Sequence, residues 1–235
     1  MDFREKLKSK FAEYNIALND TQILQFEQYY NLLIEWNNKF NLTAITDEDE
    51  VIEKHFLDSV LPKTLFNENA KVIDIGAGAG FPSIPLKIMR PDLSFILIDS
   101  VNKKVTFINE VISKLKLNNT TAIHTRIEDL AVNPAYRECF DVCVSRAVAR
   151  LNTLVEYSLP FVKLGGDMLA YKSKQIDDEI KEAKKAISIL GGTIKELAVN
   201  NFDDNDRNVV VINKTSTTPA KYPRPKNLPR TKPLV

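Results

Sequence analysis

Two cysteines and two histidines in 235 residues leave little from which to build a metal centre. Cys139 and Cys143 lie close together, His55 and His124 lie far from them, and no zinc-ligand spacing results. Cys143 sits inside an apolar run and Cys139 just before it, so both read as buried thiols of a reducing compartment. No stretch approaches the run of about 20 apolar residues that spans a bilayer. Met1-Asp2-Phe3-Arg4-Glu5-Lys6 alternates charge and has no apolar centre for a secretory signal, so a cytoplasmic location is expected. An excess of either charge is missing too. The net charge is +1, which does not announce a nucleic-acid binder. Local imbalances remain: Lys221, Arg224, Lys226, Arg230 and Lys232 share the last fifteen residues with no acid, and Asp47, Glu48, Asp49, Glu50 and Glu53 cluster upstream. No serine elbow with histidine and acid partners is visible. Glycine is scarce, with seven in the chain, and three of them fall within residues 76–80.

Those three stand in Asp74-Ile-Gly-Ala-Gly-Ala-Gly80, directly after the apolar run Lys71–Ile75. A strand ending in a tight glycine turn before a helix brings backbone N–H groups near a ligand without a Cβ in the way. The spacing is Gly-x-Gly-x-Gly with an acid two residues upstream, not the Gly-x-Gly-x-x-Gly of dinucleotide sites. Asp74 suits a ligand bearing positive charge better than a pyrophosphate.

The first third reads as helix. Phe3, Leu7, Phe11 and Tyr14 fall at helical spacing, and Ile23, Phe26, Tyr30, Leu33 and Phe40 continue it, with Asn19 or Asp20 as cap. Thr46 to Asp49 resembles a capping box, and Ile52, Phe56 and Val60 form a stripe ending near Pro62. From Ala70 short β-branched runs alternate with amphipathic helices. Strands are expected at 71–75, 94–98, 120–125, 140–144, 167–172, 193–199 and 208–213. One helix spans 102–117, and Ile176, Ile180, Ala183, Ile187 and Leu190 line the face of another, closed by Gly191-Gly192. This alternation argues a mostly parallel sheet covered on both faces, with the last two strands a hairpin. Residues 215–235 carry five prolines, which exclude a helix or central strand there.

Ligands of such sheets bind at the carboxyl ends of the strands, near the reversal of strand order. Four elements should meet there: Gly76–Gly80 with Phe81; Asp99-Ser100-Val101; Ile127-Glu128; and Ser145-Arg146. Asp99 stands where an acid that grips ribose hydroxyls belongs. Each element has a structural alternative: a mere tight turn, a helix cap for Asp99, a solvated acid for Glu128 and a strand-end charge for Arg146. His55 reads as a hydrogen-bonded structural residue and His124 as a strand residue.

Asp74–Gly80 and Asp99 resemble class I S-adenosylmethionine-dependent methyltransferases. Further motifs are similar to the RsmG family, also called glucose-inhibited division protein B: Trp36-Asn37, Phe40–Ile45, His55–Ser59, Gly76–Pro82, Asp99–Lys104, Ser145–Ala147 and Lys221–Arg224. The resemblance is collinear over nearly the whole chain. It implies a Rossmann-like, seven-stranded, mostly parallel sheet with an N-terminal helical extension, divided as 1–66, a cofactor-binding core 67–214 and a basic tail 215–235. It implies methylation of N7 of a guanine in small-subunit (16S) ribosomal RNA, with 16S RNA, the small subunit or an assembly intermediate as partner, and neither membrane nor metal. Cofactor contacts carry over to Gly76, Phe81, Asp99, Ser100, Val101, Ile127, Glu128 and Arg146, and Gly78 joins them on the backbone argument. Arg146, Lys172 and Arg224 are candidates for the RNA.

The chain departs from the family pattern at Ser173 and Asn227, where glycine is usual; Asn tolerates the left-handed conformation needed there. Attack by an in-plane N7 lone pair needs no general base, and none is evident. Adenine N6 methylation is disfavoured because Ser145-Arg146-Ala147-Val148 replaces the Asn-Pro-Pro-Tyr type of motif, and cytosine C5 methylation because neither cysteine is placed to attack. The competing expectations are a nicotinamide dehydrogenase, a methyltransferase for another RNA or a small molecule, and a non-catalytic RNA-binding module. The tail is expected either to touch phosphate or to pack as a proline-braced strap.

Overall fold

A computed structural model of the protein describes residues 1–172, 176–200 and 207–234. Seven strands form one sheet in the order β3-β2-β1-β4-β5-β7-β6. They are β1 (Lys71–Ile75), β2 (Ser94–Asp99), β3 (Thr120–His124), β4 (Phe140–Arg146), β5 (Val162–Lys172), β6 (Gly192–Asn200) and β7 (Arg207–Lys214). The first five are parallel, and β7 runs antiparallel to β5 and to β6, which makes β6–β7 the expected hairpin. Strand order reverses between β1 and β4. Their carboxyl ends, with those of β2 and β5, therefore open one crevice.

Alternate residues of each strand serve opposite faces. Val72, Phe95, Leu97, Val142, Val144 and Leu169 pack toward the N-terminal helices α1 (Phe3–Ala12) and α2 (Asp20–Asn37), together with α5 (Ser83–Met89) and α6 (Asn102–Lys114). Ile73, Ile75, Ile98, Cys143, Met168 and Ala170 pack toward α8 (Leu151–Ser158), α9 (Ile176–Ile189) and the tail. The helical third thus closes one face of the sheet. Its innermost side chain is Tyr29, fully buried, with its hydroxyl donating to Ala79 O at 2.5 Å beneath the glycine turn.

The structure corrects the sequence reading at several points. Tyr29, not Tyr30, faces the core, and Phe40 is exposed beside Trp36. The cap stands one residue later than expected: Asp47, not Thr46, caps by accepting from Glu50 N. The Ile52–Val60 stripe is not one α-helix. Following the short α3 (Glu48–Glu50), it runs through a π-helix (Val51–Leu57) and α4 (Asp58–Val60). The 102–117 helix ends at Lys114, and β5 starts at Val162, because Gly165 and Gly166 lie within a bulged pairing to β4. Cys139 is exposed, whereas Cys143 is buried. The tail holds one helical turn, α10 (Leu228–Thr231), since Pro229 occupies its first turn, where no N–H is required. Ser173 lies outside the described residues.

No helix among the described residues is long and apolar enough to cross a membrane. No group of metal-ligating side chains occurs among them either.

Candidate functional site: two cavities at the strand ends

β1 ends in the glycine turn because Gly76, Gly78 and Gly80 have φ of +70°, +61° and +94°, which side-chain-bearing residues rarely adopt. A Cβ on Gly76 would lie 2.6 Å from Val148 Cγ2, whereas at Gly78 the nearest atom would be 4.0 Å away, so the turn is open at its tip. Four of its five amides are used internally. Gly76 N and Ala77 N donate to Ile98 O, Gly80 N to Ala77 O, and Gly78 N to Asp99 Oδ2 at 3.0 Å. The expectation that the turn's N–H groups point at a ligand does not hold for these four. In place of a ring of donors the turn offers an acid. Asp99 Oδ1 also accepts from Val101 N at 2.9 Å. Each carboxylate oxygen has capacity for one further donor, which suits a vicinal diol and opposes a pyrophosphate.

Gly76, Asp99, Ser100, Val101, Ile127 and Glu128 wall a single cavity of about 400 Å³. These residues come from the ends of β1, β2 and the start of α7 (Ile127–Ala131), as the strand topology demands. Glu128 is buried rather than solvated, and its Oε1 accepts from Asn227 N. Asp74, by contrast, is not a wall. It is fully buried under the turn, where Ser83 Oγ donates to its Oδ2 at 2.6 Å and Oδ1 has no protein partner. Burial pushes its carboxyl up to about 7.

Arg146 lines a second cavity instead, and Phe81 lies buried beside it, lining neither. The Arg146 guanidinium lies 5.0 Å from the Phe81 ring centre, donates through Nη1 to Asp58 Oδ2 and Lys54 O, and through Nη2 to His55 Nδ1. Because His55 Nδ1 accepts, Nε2 carries the proton and donates to Thr43 Oγ1 at 2.9 Å. His55 also stacks on Phe81 at 4.3 Å. The π-helix matters here, since its wide turn carries Lys54 O and His55 together to Arg146. Asn37 Oδ1 fixes the loop that presents Thr43, by accepting from Leu42 N and Thr43 N.

Ile45, His55, Asp58, Arg146, Tyr171 and Lys172 are among the walls of this cavity, about 370 Å³ in volume. Lys172 Nζ is held by Ala149 O and Glu179 Oε2. Ala147 lines both cavities and has φ of +58°, a strained conformation for a residue with a Cβ. The two cavities thus share one backbone partition.

Arg224 lies at neither cavity. Its guanidinium and backbone N all donate to the buried Glu156, and Nη2 also reaches Lys232 O. Of the two expectations for the tail, the strap describes this geometry. Sequence reasoning missed Tyr157, Asn227 and Arg230 as walls of the first cavity. Only the glycine-like demand at Asn227 hinted at them, and that residue does have φ of +59°.

A family model described as rRNA small subunit methyltransferase G matches residues 22–210. The chain is 46% identical to the ribosomal RNA small subunit methyltransferase G of Clostridium novyi, covering 99% of this chain and 98% of that one. It is 47% identical to the protein of the same description from Staphylococcus aureus strain Newman, over 98% of each. Among solved structures it is similar to M. jannaschii TYW2 in complex with AdoMet, with TM-score 0.56, 18% identity, and coverage of 73% of this chain and 79% of that chain. It is also similar to a SAM-dependent methyltransferase from Aquifex aeolicus, with TM-score 0.52, 18% identity, and coverage of 69% and 92%.

Proposed function

The chain belongs to the GidB family of rRNA small subunit methyltransferases G, and from that premise we propose that it methylates N7 of a guanine in small-subunit 16S ribosomal RNA. S-adenosylmethionine occupies the glycine-turn cavity, and the guanine enters the cavity of His55, Arg146 and Lys172. The observation that carries the cofactor assignment is the acid-closed turn, in which Asp99 takes the Gly78 amide and keeps acceptor capacity for a ribose diol. Gly76, Gly78, Ser100, Val101, Ile127 and Glu128 complete that site in the proposal.

When bound, S-adenosylmethionine supplies a methyl group that passes from its sulfonium sulfur to N7 and leaves a neutral thioether. The N7 lone pair lies in the plane of the base, so no residue of the chain needs to remove a proton. The chain's contribution is to fix two sites on either side of Ala147 and to align their contents. Arg146, braced by Asp58, His55 and Phe81, presents donors to guanine O6. Lys172 stands beside it for the flanking RNA backbone, and N7 becomes reachable where the base is unstacked or in a loop. Arg224 serves the fold by locking the strap, in place of the RNA contact first expected of it.

The direct test is position-resolved mapping of 7-methylguanosine in 16S RNA with and without the protein; RNA that gains no such base would defeat the acceptor assignment. Asp99→Ala is expected to weaken S-adenosylmethionine binding by about 1–3 kcal/mol in calorimetry, and unchanged affinity would refute the diol contact. Arg146→Lys keeps a charge but cannot hold Asp58 and His55 together. Turnover should fall about 100-fold with cofactor affinity nearly intact. A matching loss of cofactor affinity would move Arg146 from the acceptor to the cofactor.

A further inference from the structure

The first cavity has a wall that comes from the far end of the chain. Asn227 and Arg230, in the strap, line it with Gly76, Asp99 and Glu128. Deepening the function proposed above and resting on it, we propose that the C-terminal strap closes the adenosine end of the S-adenosylmethionine site, with Asn227 positioning Glu128 and Arg230 covering the purine.

The direction follows from strand order. Asp99, at the end of β2, takes the ribose. β1 lies on one side of β2 and β3 on the other. The glycine turn occupies the β1 side, so the base falls toward β3, where Ile127 and Glu128 follow. That end of the cavity is also where Tyr157, Asn227 and Arg230 stand.

Asn227 ties the strap to this end through two bonds. Its backbone N donates to Glu128 Oε1 at 3.2 Å, and its side-chain Oδ1 accepts from Tyr157 OH at 3.1 Å. The first bond depends on the left-handed backbone at φ +59°, which aims the N–H inward. Glu128 is thereby held buried in one orientation at the cavity wall.

Arg230 sits in the single turn α10 just beyond. Among the described residues its guanidinium makes no ion pair or hydrogen bond, unlike Arg224 and Arg137, which are fully engaged in bracing the strap. A planar cation left over at a cavity that takes a purine is suited to stack on the ring. The strap does not depend on these two residues for its attachment. Arg224 to Glu156, Arg137 to Thr218 O and Tyr222 O, and Thr153 Oγ1 to Pro229 O hold it independently.

The test is calorimetric titration of S-adenosylmethionine into the full chain and its variants, with thermal melts alongside. Asn227→Pro removes the N–H and forces negative φ, and should raise the dissociation constant about tenfold. Asn227→Gly keeps both the N–H and the left-handed backbone, and should stay within about threefold of the wild type. Arg230→Ala, an exposed change that leaves the strap's anchors untouched, should raise the dissociation constant about fivefold. Steady-state assays should place these losses in the KM for S-adenosylmethionine, with kcat at saturation kept.

If Asn227→Pro melts early, Arg230→Ala against Asn227→Gly decides alone. Wild-type affinity in folded Asn227→Pro, or in Arg230→Ala, overturns the assignment of that residue, and in both overturns the strap as a wall while leaving the proposed function standing. A wild-type chain that binds no S-adenosylmethionine overturns both.

Discussion

Arg224→Ala is expected to destabilise the protein by about 3 kcal/mol, at the lower end of the range for breaking a buried pair. Glu156 has no exposed side-chain surface, and Arg224 satisfies it from three directions through its backbone N, Nε and Nη2. Removing the guanidinium leaves a carboxylate in the interior of α8 with only one backbone donor. Arg224 itself is 24% exposed, so water reaches the gap and the cost stays below the upper range. For a chain of this size the loss corresponds to a melting point lower by about 6–12 °C. Arg224→Met combined with Glu156→Leu should recover most of it, because removing both charges leaves only the residue-224 N–H without its acceptor. Urea and thermal unfolding of the single and double variants check this. A single variant that melts like the wild type but binds 16S RNA poorly would instead return Arg224 to the RNA-contact role.

Stability is expected to fall as pH rises from about 4 to 7 on account of Asp74. Burial, the main cause, lifts its carboxyl from 3.8 to about 7, with Asp99 acting in the same direction; the Ser83 hydrogen bond and the Arg146 charge oppose it. Between those values the folded protein holds a proton that the unfolded chain has lost. The stabilisation is complete below about pH 4 and gone once pH passes about 7. The two values differ by about 4 kcal/mol of folding free energy. Asp74→Asn stays neutral at all pH and retains the shape beneath the turn. It should therefore match the wild type near pH 4 and exceed it near pH 8, with the gap opening steadily between about pH 4 and 7. Denaturant midpoints at the two pH values measure the difference. Equal midpoints for wild type and variant at pH 8 would show that the buried carboxyl ionises without penalty.

These two effects meet in one feature, the coupling of distant segments beneath the site. Tyr29 in α2 supports Ala79 of the turn, the π-helix braces Arg146, and the strap braces Glu128. Each brace spans a wide gap in sequence, and each converts packing into the position of a functional side chain. Conserving the strand ends alone would not preserve the site.

Much of the architecture was legible locally. Lys71–Ile75 coincides with β1, because a strand buried on both faces from Val72 onward is written mostly in apolar, β-branched residues. The glycine spacing and Asp99 placed one cavity, since a tight turn constrains its own residues through φ. The left-handed backbone at Asn227 was expected from the family resemblance, but its place at the cavity was not. The start of β5 was not, because Gly165 and Gly166 resemble a terminator, and only pairing with the bulged β4 shows that the strand passes through them. Cys139 beside a buried strand reads as buried until its loop is seen to turn outward.

The sequence by itself determined the order of strands and helices, the acid-tipped glycine turn and the family to which these motifs belong. The first two depend on periodicity and backbone conformation, which are properties of neighbouring residues, and the third on the resemblance of the motifs. The tertiary structure alone decided which groups the turn's amides would satisfy, that Arg146 would face a cavity separate from that of Asp99, and that Arg224 would meet Glu156 rather than solvent. It also brought Asn227 to Glu128 across the fold. A hydrogen-bond partner is chosen by proximity in space, and charge patterns along a chain do not state which opposite charge folding will bring near.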